Sequence, residues 1–207
     1  MNKFSLRAVC AAAGLAALGL PMWAHAESVV STGAGALSAA ARLDFRITIP
    51  KVLFLQVGAG TMMATDGTVN LIDFVVPAGS AGNGTPVAAT AGSGNLGNGT
   101  VTARLRSNGG AITLVTSTTG ALTNGLGDSL AFTQFAAAAA AGATPNLFAA
   151  PALTNGSASS GVAVTAGSIT DRDALWTFSY LNAALVPPGT YGGSATNGRV
   201  TYTASVL

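Results

Sequence analysis

The sequence predicts an all-β domain, an antiparallel β-sandwich of about seven or eight strands. Three observations predict it. Apolar residues recur at period two in a series of short runs. Between those runs Asn-Gly occurs six times, at Asn83, Asn98, Asn108, Asn124, Asn155 and Asn197. That dipeptide accepts the positive φ angles of tight turns. No stretch of helical period alternates with the strand runs, which argues against a parallel α/β sheet.

Residues 1–26 have the three-part layout of a cleavable secretory signal peptide: Lys3 and Arg7, an apolar stretch over 8–20, and Ala24-His25-Ala26 as a small-residue cleavage site. The apolar stretch is too short for a membrane-spanning helix, which needs about 20 residues. Residues 27–41 form an amino-terminal extension whose only large apolar side chains are Val29, Val30 and Leu37. The sandwich occupies 42–207. It opens with a long strand over 43–57, in which Leu43, Phe45, Ile47 and Ile49 alternate with Asp44, Arg46 and Thr48, and Pro50 makes a break or bulge. A nearly all-apolar run follows at 69–76. Residues 77–99 are rich in Gly, Ala and Ser and predict a long, flexible loop. Strands are predicted at 101–106 and 112–118, and Asn108-Gly109 between them is the strongest hairpin signal in the chain. Further strands are predicted at 130–135, 162–165, 175–181 and 200–206. The alanine run at 136–141 suits a short helical turn, since alanine has the best helix propensity.

Composition excludes several functions. Charged residues make up 8% of the chain, against a typical value of roughly 25%. Once Lys3 and Arg7 leave with the signal, seven basic and seven acidic residues remain and the net charge is zero. No basic patch invites nucleic acid or an anionic membrane surface. The sole cysteine, Cys10, and the sole histidine, His25, leave as well. Disulfides, a His-based triad, a Cys nucleophile and a His- or Cys-ligated zinc site are thereby excluded. We expect no catalytic, cofactor-binding or metal-binding residues, no cofactor and no enzymatic activity.

Several motifs invite sharper readings. Gly92-Ser93-Gly94-Asn95-Leu96-Gly97 matches a dinucleotide-binding fingerprint by letter, but a strand rather than a helix is predicted after it, so it reads as a loop. Asp171 and Asp173 are spaced to share a strand face and could hold calcium or do acid–base work. Arg172 between them favours a solvated turn. Lys51, the one lysine left after cleavage, reads as a charge that blunts a sheet edge. Asn83, Asn98 and Asn155 head glycosylation-type triplets that serve equally as turns. Trp176, Phe178 and Tyr180 share one face of their strand. That face is a sugar-binding platform if exposed and sandwich core if buried, and the spacing favours core.

Two segments carry a resemblance. The opening run Arg42-Leu43-Asp44-Phe45-Arg46-Ile47-Thr48-Ile49-Pro50 and the ending Pro188-Gly189-Thr190-Tyr191-Gly192 with Val200-Thr201-Tyr202-Thr203-Ala204-Ser205 resemble fimbrial subunits and spore-coat-protein-U-like secreted proteins of bacteria. The resemblance implies an immunoglobulin-like sandwich and assembly in which an amino-terminal extension of one subunit completes the sheet of another. Many members carry a Cys pair, and this chain has none. The expectation is an exported, non-enzymatic structural or surface-assembly protein, pilin-like or coat-like. It would be secreted, periplasmic or at the cell surface, partnered by itself or by other surface subunits through strand addition, with no transmembrane segment once processed. The alternative is a monomeric secreted module that binds a glycan or similar ligand.

Overall fold

The computed structural model describes residues 27–144, 146–162 and 167–206. The signal-peptide expectation for 1–26, with His25 and Cys10, and most of the strand expected at 162–165 lie outside those residues. The chain divides into two units at Ile49 and Pro50.

The second unit, from Pro50, is the antiparallel β-sandwich expected. Its strands are β1 (Leu53–Val57), β2 (Val87–Ala88), β3 (Thr100–Ser107), β4 (Ile112–Ser117), β5 (Leu122–Thr123), β6 (Ser129–Leu130), β7 (Phe135–Ala141), β8 (Ser157–Val162), β9 (Thr170–Tyr180) and β10 (Thr201–Val206). Seven of these run five residues or more. In the larger sheet β9 is central, paired with β3 and β2 and also with β7, and β1 pairs with β3. The smaller sheet has the order β10-β4-β8, and β5 pairs with β6 alone.

Period two explains the layers, because alternate side chains of a strand point to opposite faces. In β3, Val101, Ala103 and Leu105 are buried, and across the ladder so are Ala174 and Trp176 of β9, with Phe178 and Tyr180 beyond. Ile112 and Leu114 of β4 and Val162 of β8 close the core from the other sheet. Trp176 is fully buried, and its ring Nε1 donates to the Phe148 carbonyl at 3.1 Å. Phe148 packs edge-on and Tyr202 tilted against it, with ring centroids 5.1 and 5.5 Å away.

Several expectations are corrected. Asn108-Gly109 does not turn a hairpin: β3 and β4 belong to different sheets, and the connection crosses between layers. Neither residue has positive φ. Instead the Asn108 side chain accepts from Val52 N at 2.8 Å and donates to the Pro50 carbonyl at 2.8 Å, fastening the start of β1. The alanine run is strand, not helix. Its ladder on β9 runs from Phe135↔Tyr180 to Ala141↔Ala174, so tertiary pairing overrides propensity. The 69–76 run forms no ladder, although Ile72, Phe74 and Val76 still pack on the core. Within the 77–99 stretch, Val87–Ala88 pair with β9, and residues 80–85 are gathered around buried Asn182. Its side chain accepts from Gly82 N at 2.7 Å and donates to the Ser80 carbonyl at 2.7 Å, to Asn83 Oδ1 at 3.1 Å and to the Thr85 carbonyl at 3.3 Å.

The first unit is described over 27–49. No strand forms there, and Arg42 pairs with Glu27, Nε to Oε2, at 2.7 Å. The strand expected over 43–57 is therefore realised only at Leu53–Val57, and the sandwich begins at Pro50 rather than at 42. Proline has no N–H to donate to a ladder, which accounts for a break at that point.

Candidate functional site: an open sheet edge and an exposed segment

β10 is an edge strand. Its ladder on β4 runs from Thr201↔Ser117 to Val206↔Ile112, and among the described residues no strand pairs with its other side. Its inward side chains, Tyr202, Ala204 and Val206, are only half-buried, whereas Ile112, Leu114 and Thr116 of β4 are buried. On the facing sheet, Leu55 and Val57 of β1 are likewise half-buried at the core's margin. β1 and β10 lie against each other across the layers. This margin is where the sandwich is least complete: an apolar inner face and a row of main-chain groups with no ladder partner, the features that accept an added strand. Burial pushes the Tyr202 hydroxyl well above its ordinary pKa, so it stays neutral there.

Residues 43–49, taken by themselves, are the complementary kind of surface. Leu43, Phe45, Ile47 and Ile49 are 70, 90, 83 and 71% exposed. Asp44, Arg46 and Thr48 alternate with them, so in extended form the segment has one apolar and one polar face. Burying one such side chain is worth about 1.5–3 kcal/mol. The first unit runs past the extension expected at 27–41 to Ile49 and includes the alternating residues expected to open the sandwich. Pro50 was the available signal.

The other candidates fall into ordinary places. Asp171 and Asp173 sit in β9, not in a turn. Asp173 pairs with Arg104 at 3.2 Å and Asp171 with Arg106 at 2.9 Å, each across the β3–β9 ladder. Each carboxylate faces a guanidinium group of β3. Lys51 is exposed just before β1. Residues 92–97 lie in the bends and turns before β3, with no helix after them. Trp176, Phe178 and Tyr180 are buried, at 0, 7 and 4% exposure, so they are core and not a platform. Among the described residues no three His, Cys, Asp or Glu side chains gather around a metal position, and no helix is long and apolar enough to cross a membrane. Two cavities, of about 100 and 230 Å³, lie near β1 and at the Arg106–Asp171 pair. Both fall below the roughly 300 Å³ at which ligand pockets begin.

No family model matches the sequence, and no curated protein or solved structure is similar to it. The functional reading therefore rests on the site itself.

Proposed function

We propose that the protein is an exported, non-enzymatic structural or surface-assembly subunit, pilin-like or coat-like, joined to its neighbours by strand addition. Residues 43–49 of one copy add to the open β10 edge of another copy or of a related surface subunit. The observation that carries this reading is the run of four exposed apolar side chains at period two, Leu43, Phe45, Ile47 and Ile49, none of which a ladder covers. Main-chain hydrogen bonds along β10 supply affinity, and the half-buried inner face around Tyr202 and Val206 supplies the apolar seat. A neutral surface with few charges lowers the cost of close packing. The layout of residues 1–26 supports export, and the scarcity of acid–base groups supports a role without catalysis. The rival reading, a monomeric glycan-binding module, needed exposed aromatics at Trp176, Phe178 and Tyr180, and these are buried.

The test is size analysis of the chain from Glu27 and of a chain lacking 27–49, with Ile47→Asp as a point variant. Assembly predicts polymers for the first and monomers for the other two. A stable monomer in all three, with a saccharide-dependent change in Trp176 fluorescence, would favour the glycan-binding module.

A further inference from the structure

Asparagine followed by glycine is the pair most prone to close on itself, because glycine leaves its N–H open to the preceding side-chain amide and lets the backbone turn toward it. The chain has six such pairs, and the fold treats them differently. In four the glycine N–H is engaged. Gly84 donates to the Asn182 carbonyl at 2.8 Å, Gly99 to the Ser93 carbonyl at 2.9 Å, Gly109 to Ser107 Oγ at 2.9 Å and Gly198 to the Gly193 carbonyl at 2.8 Å. Among the described residues nothing accepts from the N–H of Gly125 or Gly156.

These two pairs differ in the amide. Asn124 is held at both ends: Oδ1 accepts from Leu126 N at 2.9 Å and from Asp128 N at 3.2 Å, and Nδ2 donates to Asp128 Oδ2 at 2.8 Å. The Asp128 carboxylate beside it also opposes loss of a proton from Gly125 N. Asn155 is held at the oxygen alone. Its Oδ1 accepts from Phe132 N at 2.8 Å, and among the described residues nothing accepts from its Nδ2. That one bond favours attack at Cγ, since a donor at Oδ1 stabilises the negative charge that develops there. Gly156 is exposed, and nothing lies within 4 Å of the place a Cβ would occupy.

We propose that Asn155-Gly156 is a self-modifying site, at which the folded chain converts asparagine to aspartate and isoaspartate with water as the co-reactant. Gly156 N gives its proton to solvent and its electron pair to Asn155 Cγ. The Cγ–Nδ2 bond breaks, Nδ2 leaves as ammonia, and a cyclic imide closes. Water then opens the ring, either at Cγ, which leaves aspartate, or at the main-chain carbonyl, which leaves the backbone running through Cγ as isoaspartate. The site stands at the start of β8: the Gly156 carbonyl accepts from Thr118 N at 2.8 Å, and Ser157 pairs with Ser117. Isoaspartate lengthens the main chain at this point and loosens β8, which among the described residues pairs with β4 alone. This chemistry is independent of strand addition.

The test is peptide mapping by mass spectrometry of the chain from Glu27 after incubation at mildly alkaline pH, folded and in denaturant, with isoaspartyl methylation as the assay for the isomer. In the folded protein Asn155 should convert at least about tenfold faster than each of the other five asparagines that precede glycine, and the gap should close in denaturant. Gly156 has no positive φ and has room for a methyl group, so Gly156→Ala should fold and slow the conversion at Asn155 by a similar factor. In converted molecules the amides of β8 should exchange with solvent faster while those of β3 keep their protection. An intact Asn155, conversion of all six pairs at one rate in the folded protein, or an undiminished rate in Gly156→Ala would overturn the site. A gap that persists in denaturant would assign the preference to local sequence and overturn it too. Unchanged exchange in β8 of converted molecules would overturn the effect on the strand.

Discussion

β9 and residues 43–49 have the same kind of sequence and opposite fates. Each alternates apolar and polar residues at period two. β9 is flanked on both sides, by β3 and β2 on one edge and β7 on the other, and Trp176, Phe178 and Tyr180 vanish into the core. Residues 43–49 have no ladder, and Phe45 is 90% exposed. Alternation therefore specifies the two faces of a strand without specifying its partner. Burial and exposure are decided by the pairing, not by the pattern.

The comparison breaks most visibly at Trp176. Trp176→Ala empties the largest fully buried side chain and should cost about 3–5 kcal/mol, read by denaturant unfolding. A cost below about 1 kcal/mol would mean that β9 is not the core strand described. Asn182→Ala comes next. It strips partners from Gly82 N and three acceptors at one stroke, and the loss should be about 2–4 kcal/mol, with faster proteolysis within 77–99 as a second readout. Tyr202 sharpens the margin between the regions. Burial raises its pKa in the folded state from 10.0, so the unfolded chain releases the proton first. Its contribution is fully present below pH 10 and is lost as pH rises above that. Stability should fall above about pH 10, and Tyr202→Phe should reduce the slope. Tyr180 and Tyr191 are also shifted upward, chiefly by burial, so part of the slope should persist. The smallest effect belongs to the exposed segment: Phe45→Asp should change the stability of the isolated domain by less than about 0.5 kcal/mol, while reducing self-association in sedimentation.

What the sequence made legible follows the same division. The faces of β3, β9 and β10 were readable from Val101 to Leu105, from Trp176 to Tyr180 and from Tyr202 to Val206, because burial on one side imposes period two. Partners were not readable. Asn108-Gly109 has hairpin letters, but its amide serves Val52 and Pro50, and the strands around it separate into different sheets. The run 136–141 lacks any side chain large enough to mark a face, so β7 is defined by β9 alone. Asn182 carries no local sign that it organises residues a hundred positions earlier. In the candidate site, the alternation at 43–49 was plain and its ownership was not.

The crossing between layers at 108–111 governs how the chain must fold. Among the described residues only the two-residue pair β5–β6 joins strands that are neighbours in sequence. Every other ladder waits for a distant segment: β1 for β3, β3 for β9, and β4 for β10, roughly eighty residues later. Such a topology has high contact order, with loop-closure entropy spent before contacts repay it, and it folds slowly. Until residues 201–206 arrive, the small sheet has only β4 and β8. The last segment of the chain to be made is thus the one that carries Tyr202 and Val206 onto the core's margin.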